Sequence, residues 1–286
     1  MTPSLPDSPL VVCDLDGTLL RSGGTLSDYS RTTLQALTAA GVALTVATAR
    51  SLPAITALLA GVEFPLPVIE LGGSYLSDAA TGRHVSRHSL DRATAAKLVA
   101  AVLAAGLEPA LTTWDGRTDR LHHGDLADEG AAWYVDEKRK YGDPRLRHSP
   151  DFGRVAREED VALVRFAVRR DREPEALELL AGLGSAGTTV QSYPIGYLPG
   201  WVEFAVHSAR ADKGQAVLAL RDRHALTGPV VACGDHLNDL PMFAVADRRV
   251  APANAHPEIL ASATDVVGPN DEDGVARFLA REFLGT

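Results

Sequence analysis

The chain has 286 residues, a formal net charge of −9 at pH 7 and hydrophobic residues at 45% of its positions. This length suggests one large domain or two, and the apolar content suffices for a sizeable core. The acidic balance argues against nucleic acid or an anionic membrane surface as a partner.

No segment has the pattern of a targeting signal or of a membrane span. Residues 1–9 are polar and lack a basic region. The longest uncharged stretch, 32–49, is interrupted by Gln35 and Gly41, which favours a helix, a turn and a strand. We therefore expect a soluble cytoplasmic protein.

Short apolar runs alternate with helical stretches in the first third of the chain. Strands are predicted at 10–13, 42–47 and 67–71, and helices at 28–40 and 53–60. Such alternation predicts a parallel sheet with crossover helices, which is the Rossmann-like, doubly wound α/β class.

The pattern changes in the middle of the chain and returns near residue 207. The middle predicts an α+β module with an antiparallel sheet: a helix at 90–105, a hairpin turn at 114–117, an irregular charged stretch at 125–150, a strand at 161–168, a helix at 174–183, and strands at 188–191 and 200–206. The last part predicts helices at 212–224, 238–246 and 271–284, a strand at 229–233, and edge strands at 249–251 and 266–268.

Two carboxylates follow the first predicted strand. Asp14 and Asp16 are two residues apart, so in extended backbone both side chains point to the same side. Their mutual repulsion would be offset by a divalent cation or by an electrophilic phosphorus atom. One aspartate can then act as nucleophile and the other as general acid and base. The alternative is a turn in which the aspartates cap local N–H groups.

Three later motifs could supply the missing roles. Thr48 follows the second strand and suits a phosphate oxygen, although threonine also caps helices. Arg50, two residues on, is a candidate for substrate specificity, although it could also be an ordinary solvated arginine. Lys213 opens a helix, which is unfavourable for a cation unless an anion lies nearby.

The last motif is the most specific of the four. Residues 234–242 read Gly-Asp-His-Leu-Asn-Asp-Leu-Pro-Met and again bring carboxylates to the end of a strand. Carboxylate and other hard oxygens are the ligands that Mg²⁺ takes. Ligands collect at the carboxyl ends of strands in open α/β sheets, so the wide spacing of the motifs is expected.

In this order the motifs resemble those of the haloacid dehalogenase-like (HAD) phosphatases. An insert between the second and third motifs resembles the C2 cap of the Cof-like, type IIB branch. The resemblance implies that Asp14 attacks phosphorus and binds Mg²⁺, and that Asp16 is the acid and base and a ligand through its carbonyl. The remaining implied roles are phosphoryl contacts from Thr48, Lys213 and Asn238, and metal ligation by Asp235, with Asp239 as an additional or outer ligand.

Two departures from the family pattern are visible. The family often has Thr-Gly-Arg where this chain has Thr48-Ala49-Arg50. Leu71-Gly72 stands in place of the usual Asn-Gly, so the polar group that the asparagine would place near the substrate is absent. The resemblance places specificity in the insert. Its candidate residues, each of which could also be a packing or solvent-exposed residue, are Trp114, Arg117, Arg120, His122, His123 and Trp133.

The sequence thus predicts a core of residues 1–80 and 200–286 and an α+β cap of residues 81–199. The expected reaction is Mg²⁺-dependent hydrolysis of a small phosphomonoester, a sugar phosphate, nucleotide or phosphorylated cofactor, by a monomer or small homo-oligomer. A phosphotransferase or phosphomutase on this fold, and a non-catalytic ligand-binding protein, are the alternatives. The family's sheet order would also make Cys13 and Cys233 close, reduced neighbours.

Overall fold

The computed structural model describes residues 8–184, 187–196 and 198–286. Residues 1–7, most of the segment in which no targeting signal was found, lie outside this description. The chain forms two compact units, one of Met1–Ser86 with Asp212–Thr286 and one of Arg87–Ala211. Within the described residues, no helix combines the length and apolar character needed to cross a bilayer.

The first part of the chain alternates strands and helices as predicted. The first helix begins after Ser27, whose hydroxyl accepts the N–H of Ser30, and Gly41 follows its end with φ +81°. A hairpin that the sequence pattern did not indicate follows the third strand. The elements are β1 (Leu10–Cys13), α1 (Asp28–Ala39), β2 (Ala43–Val46), α2 (Leu52–Leu58), β3 (Val68–Glu70), β4 (Tyr75–Ser77) and β5 (His84–Arg87).

The middle of the chain is the predicted α+β module. Its sheet has the order β10-β11-β9-β6-β7-β8 and is antiparallel except between β7 and β8. The elements are α3 (Arg92–Ala104), β6 (Ala110–Trp114), β7 (Asp119–His123), α4 (Glu129–Lys140), β8 (Leu146–His148), α5 (Phe152–Glu158), β9 (Asp160–Arg169), α6 (Glu173–Gly182), β10 (Thr188–Pro194) and β11 (Trp201–Ser208).

Two expectations for the middle part differ from the structure. The stretch 125–150 is not irregular: α4 forms there because Asp128 caps it by accepting the N–H of Ala131, and its inward face buries Tyr134 and Val135. Residues 201–208, placed in the core by the predicted boundary, form β11 and pair with β9 and β10. The compact unit therefore extends to Ala211.

The last part of the chain completes the first unit. Its elements are α7 (Lys213–His224), β12 (Val230–Cys233), α8 (Leu240–Ala244), β13 (Arg248–Pro252), α9 (Pro257–Ser262), β14 (Asp265–Val267) and α10 (Gly274–Leu284). The sheet has the order β14-β13-β12-β1-β2, and all of its strand pairs are parallel. The prediction of an edge strand at 249–251 was wrong, because β13 lies between β12 and β14.

This sheet aligns the carboxyl ends of its central strands. In the register, Cys13 lies opposite Cys233 on one side and Val46 on the other. The residues that follow β1, β2 and β12 therefore emerge at the same edge of the sheet. The two cysteines are buried, reduced neighbours, as expected. The α/β core with an inserted α+β module is confirmed.

Candidate active site

A buried lysine lies between two carboxylates at this edge of the sheet. The Nζ atom of Lys213 donates hydrogen bonds to Asp14 Oδ1 at 2.5 Å and to Asp239 Oδ1 at 2.6 Å. The lysine side chain is only 1% exposed. Burial disfavours its charge, but the two carboxylates more than offset this and raise the pKa of Lys213 above its ordinary value. They also compensate for the cation's position at the start of α7.

Asp235 joins this cluster from the end of β12. Its Oδ1 accepts the hydroxyl hydrogen of Thr18 at 2.9 Å. The other carboxylate oxygen of Asp239, Oδ2, accepts the backbone N–H groups of Asp235 and His236. Asp239 therefore holds both Lys213 and the backbone that carries Asp235.

The three aspartates form a site with the donor chemistry of a divalent cation. Each of Asp14, Asp235 and Asp239 offers a carboxylate oxygen, and these oxygens lie within 4.8 Å of one another. Burial, with the charge of Asp239, raises the pKa of Asp235 to about 7. Burial and the neighbouring carboxylates likewise raise the pKa of Asp14, against the opposing effect of Lys213. Both shifts arise first from burial, and the neighbouring carboxylates add to it.

Asp16 has a different environment from Asp14. Its side chain is 53% exposed, and its two carboxylate oxygens accept hydrogen bonds from Arg50 Nε at 2.7 Å and Arg50 Nη2 at 2.6 Å. This bidentate pair fixes the plane of the carboxylate. Arg50, interpreted from the sequence as a specificity residue or a solvated arginine, thus has a partner in the first motif.

Thr48 is buried, and its hydroxyl accepts the N–H of Arg50 at 3.2 Å. Its carbonyl accepts the N–H of Gly72, and the carbonyl of Arg50 accepts the N–H of Leu71. Leu71 has φ 52°, a left-handed conformation that is unusual for leucine. The turn at 71–72 braces the Thr48 loop through backbone atoms alone, so this bracing does not require the family's asparagine.

The remaining phosphate candidate and the insert candidates are placed less decisively. Asn238 is half-buried in the turn Leu237–Asp239. In the insert, the structure brings two candidates together at Glu159, which accepts hydrogen bonds from His122 and Arg120. The other four candidates make separate contacts. The Arg87 guanidinium lies over the ring of Trp114, and the backbone N–H of Arg117 donates to Asp115. His123 Nδ1 contacts the Gly124 carbonyl, and Trp133 packs near Trp201. Their role in specificity stays a prediction.

The buried His122 makes the stability of the insert depend on pH. Its Nδ1 contacts Ser149 Oγ at 2.7 Å and its Nε2 contacts Glu159 Oε2 at 3.0 Å. Burial lowers the pKa of His122 below its ordinary value, although Glu159 opposes this. Between that lowered pKa and about 6.5, the unfolded chain binds a proton that the folded chain does not. We expect the insert to lose stability as the pH falls from 7 to 5.

Urea unfolding followed by tryptophan fluorescence would measure this loss, since Trp114, Trp133 and Trp201 all lie in the second unit. The His122→Gln variant should lose less stability over the same pH range than the unsubstituted protein, by about 1.4 kcal/mol per unit of pKa difference. His148→Gln, at an exposed histidine that contacts Asp125, serves as the control and should change the slope less than His122→Gln does. An unchanged slope in His122→Gln would contradict the assignment.

Comparison with known proteins decides the family. The sequence matches the family described as haloacid dehalogenase-like hydrolases over residues 11–279. The chain belongs to this family. Among its HAD-like relatives, the 5-amino-6-(5-phospho-D-ribitylamino)uracil phosphatase YwtE of Bacillus subtilis is 28% identical, over 96% of this chain and 98% of the relative.

One further curated protein and one solved structure are similar to this chain. A phosphoglycolate phosphatase of Sulfurisphaera tokodaii is 45% identical over a shorter segment, 24% of this chain and 30% of the relative. The crystal structure of a haloacid dehalogenase-like hydrolase from Bacteroides thetaiotaomicron superposes with a TM-score of 0.77 at 22% identity, covering 97% of this chain and 100% of the other. The HAD assignment and the fold that it implied are thereby confirmed.

Proposed function

We propose that this HAD family member hydrolyses small phosphomonoesters through an aspartyl-phosphate on Asp14. The observation that carries the proposal is the buried cluster in which Lys213 holds Asp14 and Asp239 beside Asp235. Lys213 fixes one oxygen of Asp14, which leaves Oδ2 for attack on phosphorus. The names of the curated relatives, all phosphatases, support the same reaction.

The reaction has two steps. An Asp14 oxygen forms a bond to phosphorus while the bond from phosphorus to the leaving oxygen breaks, and Asp16 donates a proton to that oxygen. Asp16 then accepts a proton from a water molecule whose oxygen attacks the aspartyl-phosphate. This releases inorganic phosphate and restores the Asp14 carboxylate. Arg50 would hold Asp16 in place, and Thr48, Lys213 and Asn238 would contact the phosphoryl oxygens.

We propose Mg²⁺ as the cofactor. When all four are ionised, the side chains of Asp14, Asp16, Asp235 and Asp239 carry four negative charges against the two positive charges of Lys213 and Arg50, a formal excess of two negative charges. Asp14 and Asp235, with the Asp16 carbonyl and an outer contribution from Asp239, would hold the ion. When bound, Mg²⁺ neutralises charge on the phosphoryl group.

A phosphate-release screen tests the proposal. The purified protein should release inorganic phosphate from an aryl phosphate and from one or more members of a panel that includes sugar phosphates, nucleotides, 2-phosphoglycolate and 5-amino-6-(5-phospho-D-ribitylamino)uracil. The last two follow the names of the relatives. A chelator should abolish release and added Mg²⁺ should restore it. Isomerisation of a phosphosugar without phosphate release would favour a phosphomutase, and no turnover of any compound would favour a binding protein.

A further inference from the structure

Asn254 lies at the same edge of the core sheet as the proposed catalytic residues. It follows β13 by two residues, as Asp235 follows β12 by two, and the two strands are parallel neighbours. Nothing in the four motifs includes it. The sequence indicates it by the same pattern as Asp14 and Thr48, which is a polar side chain within two residues of the end of a buried strand.

The amide of Asn254 joins two distant segments. Its Nδ2 donates a hydrogen bond to the carbonyl oxygen of Gly17 at 2.8 Å, and its Oδ1 accepts the backbone N–H of Asn270 at 2.9 Å. Both the NH₂ group and the oxygen of the amide are therefore hydrogen-bonded. Because one donates and the other accepts, the two bonds fix the orientation of the amide. Asn270 is itself buried and donates its side-chain amide to the carbonyl of Leu20 at 2.8 Å.

The Gly17 peptide is also constrained from its other side. Gly17 has φ +79°, and a Cβ atom at this position would lie 2.2 Å from Oδ2 of Asp235. The next residue, Thr18, donates its hydroxyl to the same carboxylate. The backbone directly after Asp16 is thus held between Asp235 and Asn254.

The backbone before Asp16 is fixed as well. The carbonyl of Leu15 accepts the N–H groups of Leu19 at 3.1 Å and Leu20 at 2.8 Å, which closes a tight turn around Asp16. With an exposed side chain, Asp16 has little packing to orient it. Its direction therefore depends on this turn and on Arg50. In the turn, Asn254 supplies a side-chain hydrogen bond to the Gly17 carbonyl.

We propose that Asn254 is a positioning residue for Asp16, holding the Gly17 peptide so that the Asp16 carboxyl group is aligned for both proton transfers. This inference rests on the proposed function. Loss of the amide should misplace Asp16 without altering the phosphate contacts. Misplacement of a reacting group by about 1 Å can cost on the order of 100-fold in rate.

The test uses the full-length protein with Mg²⁺ and two variants. Asn254→Ala removes both hydrogen bonds, whereas Asn254→Asp can still accept the N–H of Asn270 but cannot donate to Gly17. We expect both to lower kcat by about 10- to 100-fold, and for a substrate whose first step stays fast the slower second step should lower KM as well. Because the Asp variant keeps its bond to Asn270, its thermal midpoint should stay close to that of the unsubstituted protein while its activity is lost.

Pre-steady-state kinetics with 4-nitrophenyl phosphate separate positioning from a general structural role. Nitrophenolate leaves without needing a proton, so phosphorylation of Asp14 should stay fast, while dephosphorylation, which needs Asp16 as a base, should slow. The variants should therefore show a burst of nitrophenolate, and their loss should be larger for an alkyl phosphate. A merely structural defect would lower both phases together and give no burst.

Two outcomes would overturn the proposal: unchanged kcat in both variants, or, with 4-nitrophenyl phosphate, a loss that affects both steps equally. Ser22→Ala, five residues after Gly17 in the chain, is the matched control, because it removes the hydroxyl contact to Asp271 and should keep full activity. Failure of the proposed function is distinguishable, since it would show as undiminished turnover in Asp14→Asn, whatever the Asn254 variants do.

Discussion

Replacing the carboxylate of Asp14 by an amide, in Asp14→Asn, is expected to lower phosphate release by on the order of 10⁴-fold or more, which is the scale of losing an enzyme's nucleophile. An amide oxygen cannot displace the leaving group, and neither Asp16 nor Asp235 shares its contact with Lys213. The fold should be retained, because asparagine has nearly the same volume and its Oδ1 can still accept the hydrogen bond from Lys213.

The stability of this variant gives a second expected result. Burial and the nearby carboxylates raise the pKa of Asp14, so its charge is unfavourably placed in the metal-free protein. Removing that charge should leave the thermal midpoint unchanged or higher when chelator is present. Asp265→Asn, at an aspartate of β14 that pairs with Arg248, is the control and should keep full activity. Full activity in Asp14→Asn, with the amide verified by mass spectrometry, would refute the nucleophile assignment.

The placement of the candidate site could be predicted from the sequence because it follows from local patterns. Buried strands end where apolar runs end, and parallel strands bring those ends to one edge. That rule sufficed to bring Asp14 and Asp235 to the same edge, whereas Lys213 opens α7 and was assigned to the site from the family resemblance. The insert was harder. Its helix α4 has only a narrow apolar face, so the charged residues on its other faces left no clear helical periodicity in the sequence. The strand β11 has an apolar pattern that would suit either sheet.

The partners of the site residues could not be predicted in the same way. The pairing of Arg50 with Asp16 joins residues 34 positions apart, and the contact of Asn254 with Gly17 joins residues 237 apart. Nothing in the sequence around Arg50 distinguishes an arginine that pairs with a carboxylate from a solvated one. Such choices depend on loop geometry, which side-chain patterns do not encode.

Lys213→Met is expected to have the largest effect on the stability of the core. The substitution keeps most of the side-chain volume but removes the cation between Asp14 and Asp239, leaving two buried carboxylates without a cationic partner. Breaking a buried ion pair by removing one member typically costs about 3–5 kcal/mol. Turnover should also be lost, since Lys213 is the side chain that holds Asp14 Oδ1 in the described part of the chain. Urea unfolding followed by far-UV circular dichroism would measure the stability change.

The same experiment also shows which unit loses stability. All three tryptophans lie in the second unit, so the fluorescence transition should move little while the circular dichroism transition shifts. Lys97→Met makes the same chemical change at an exposed position on α3 and should cost no more than about 0.5 kcal/mol. Adding Asp239→Asn to Lys213→Met should recover part of the lost stability, because one unpaired charge disappears, but none of the activity. If the free energy of unfolding of Lys213→Met equalled that of the unsubstituted protein, the ion pairs of Lys213 with Asp14 and Asp239 would not be what stabilises this cluster.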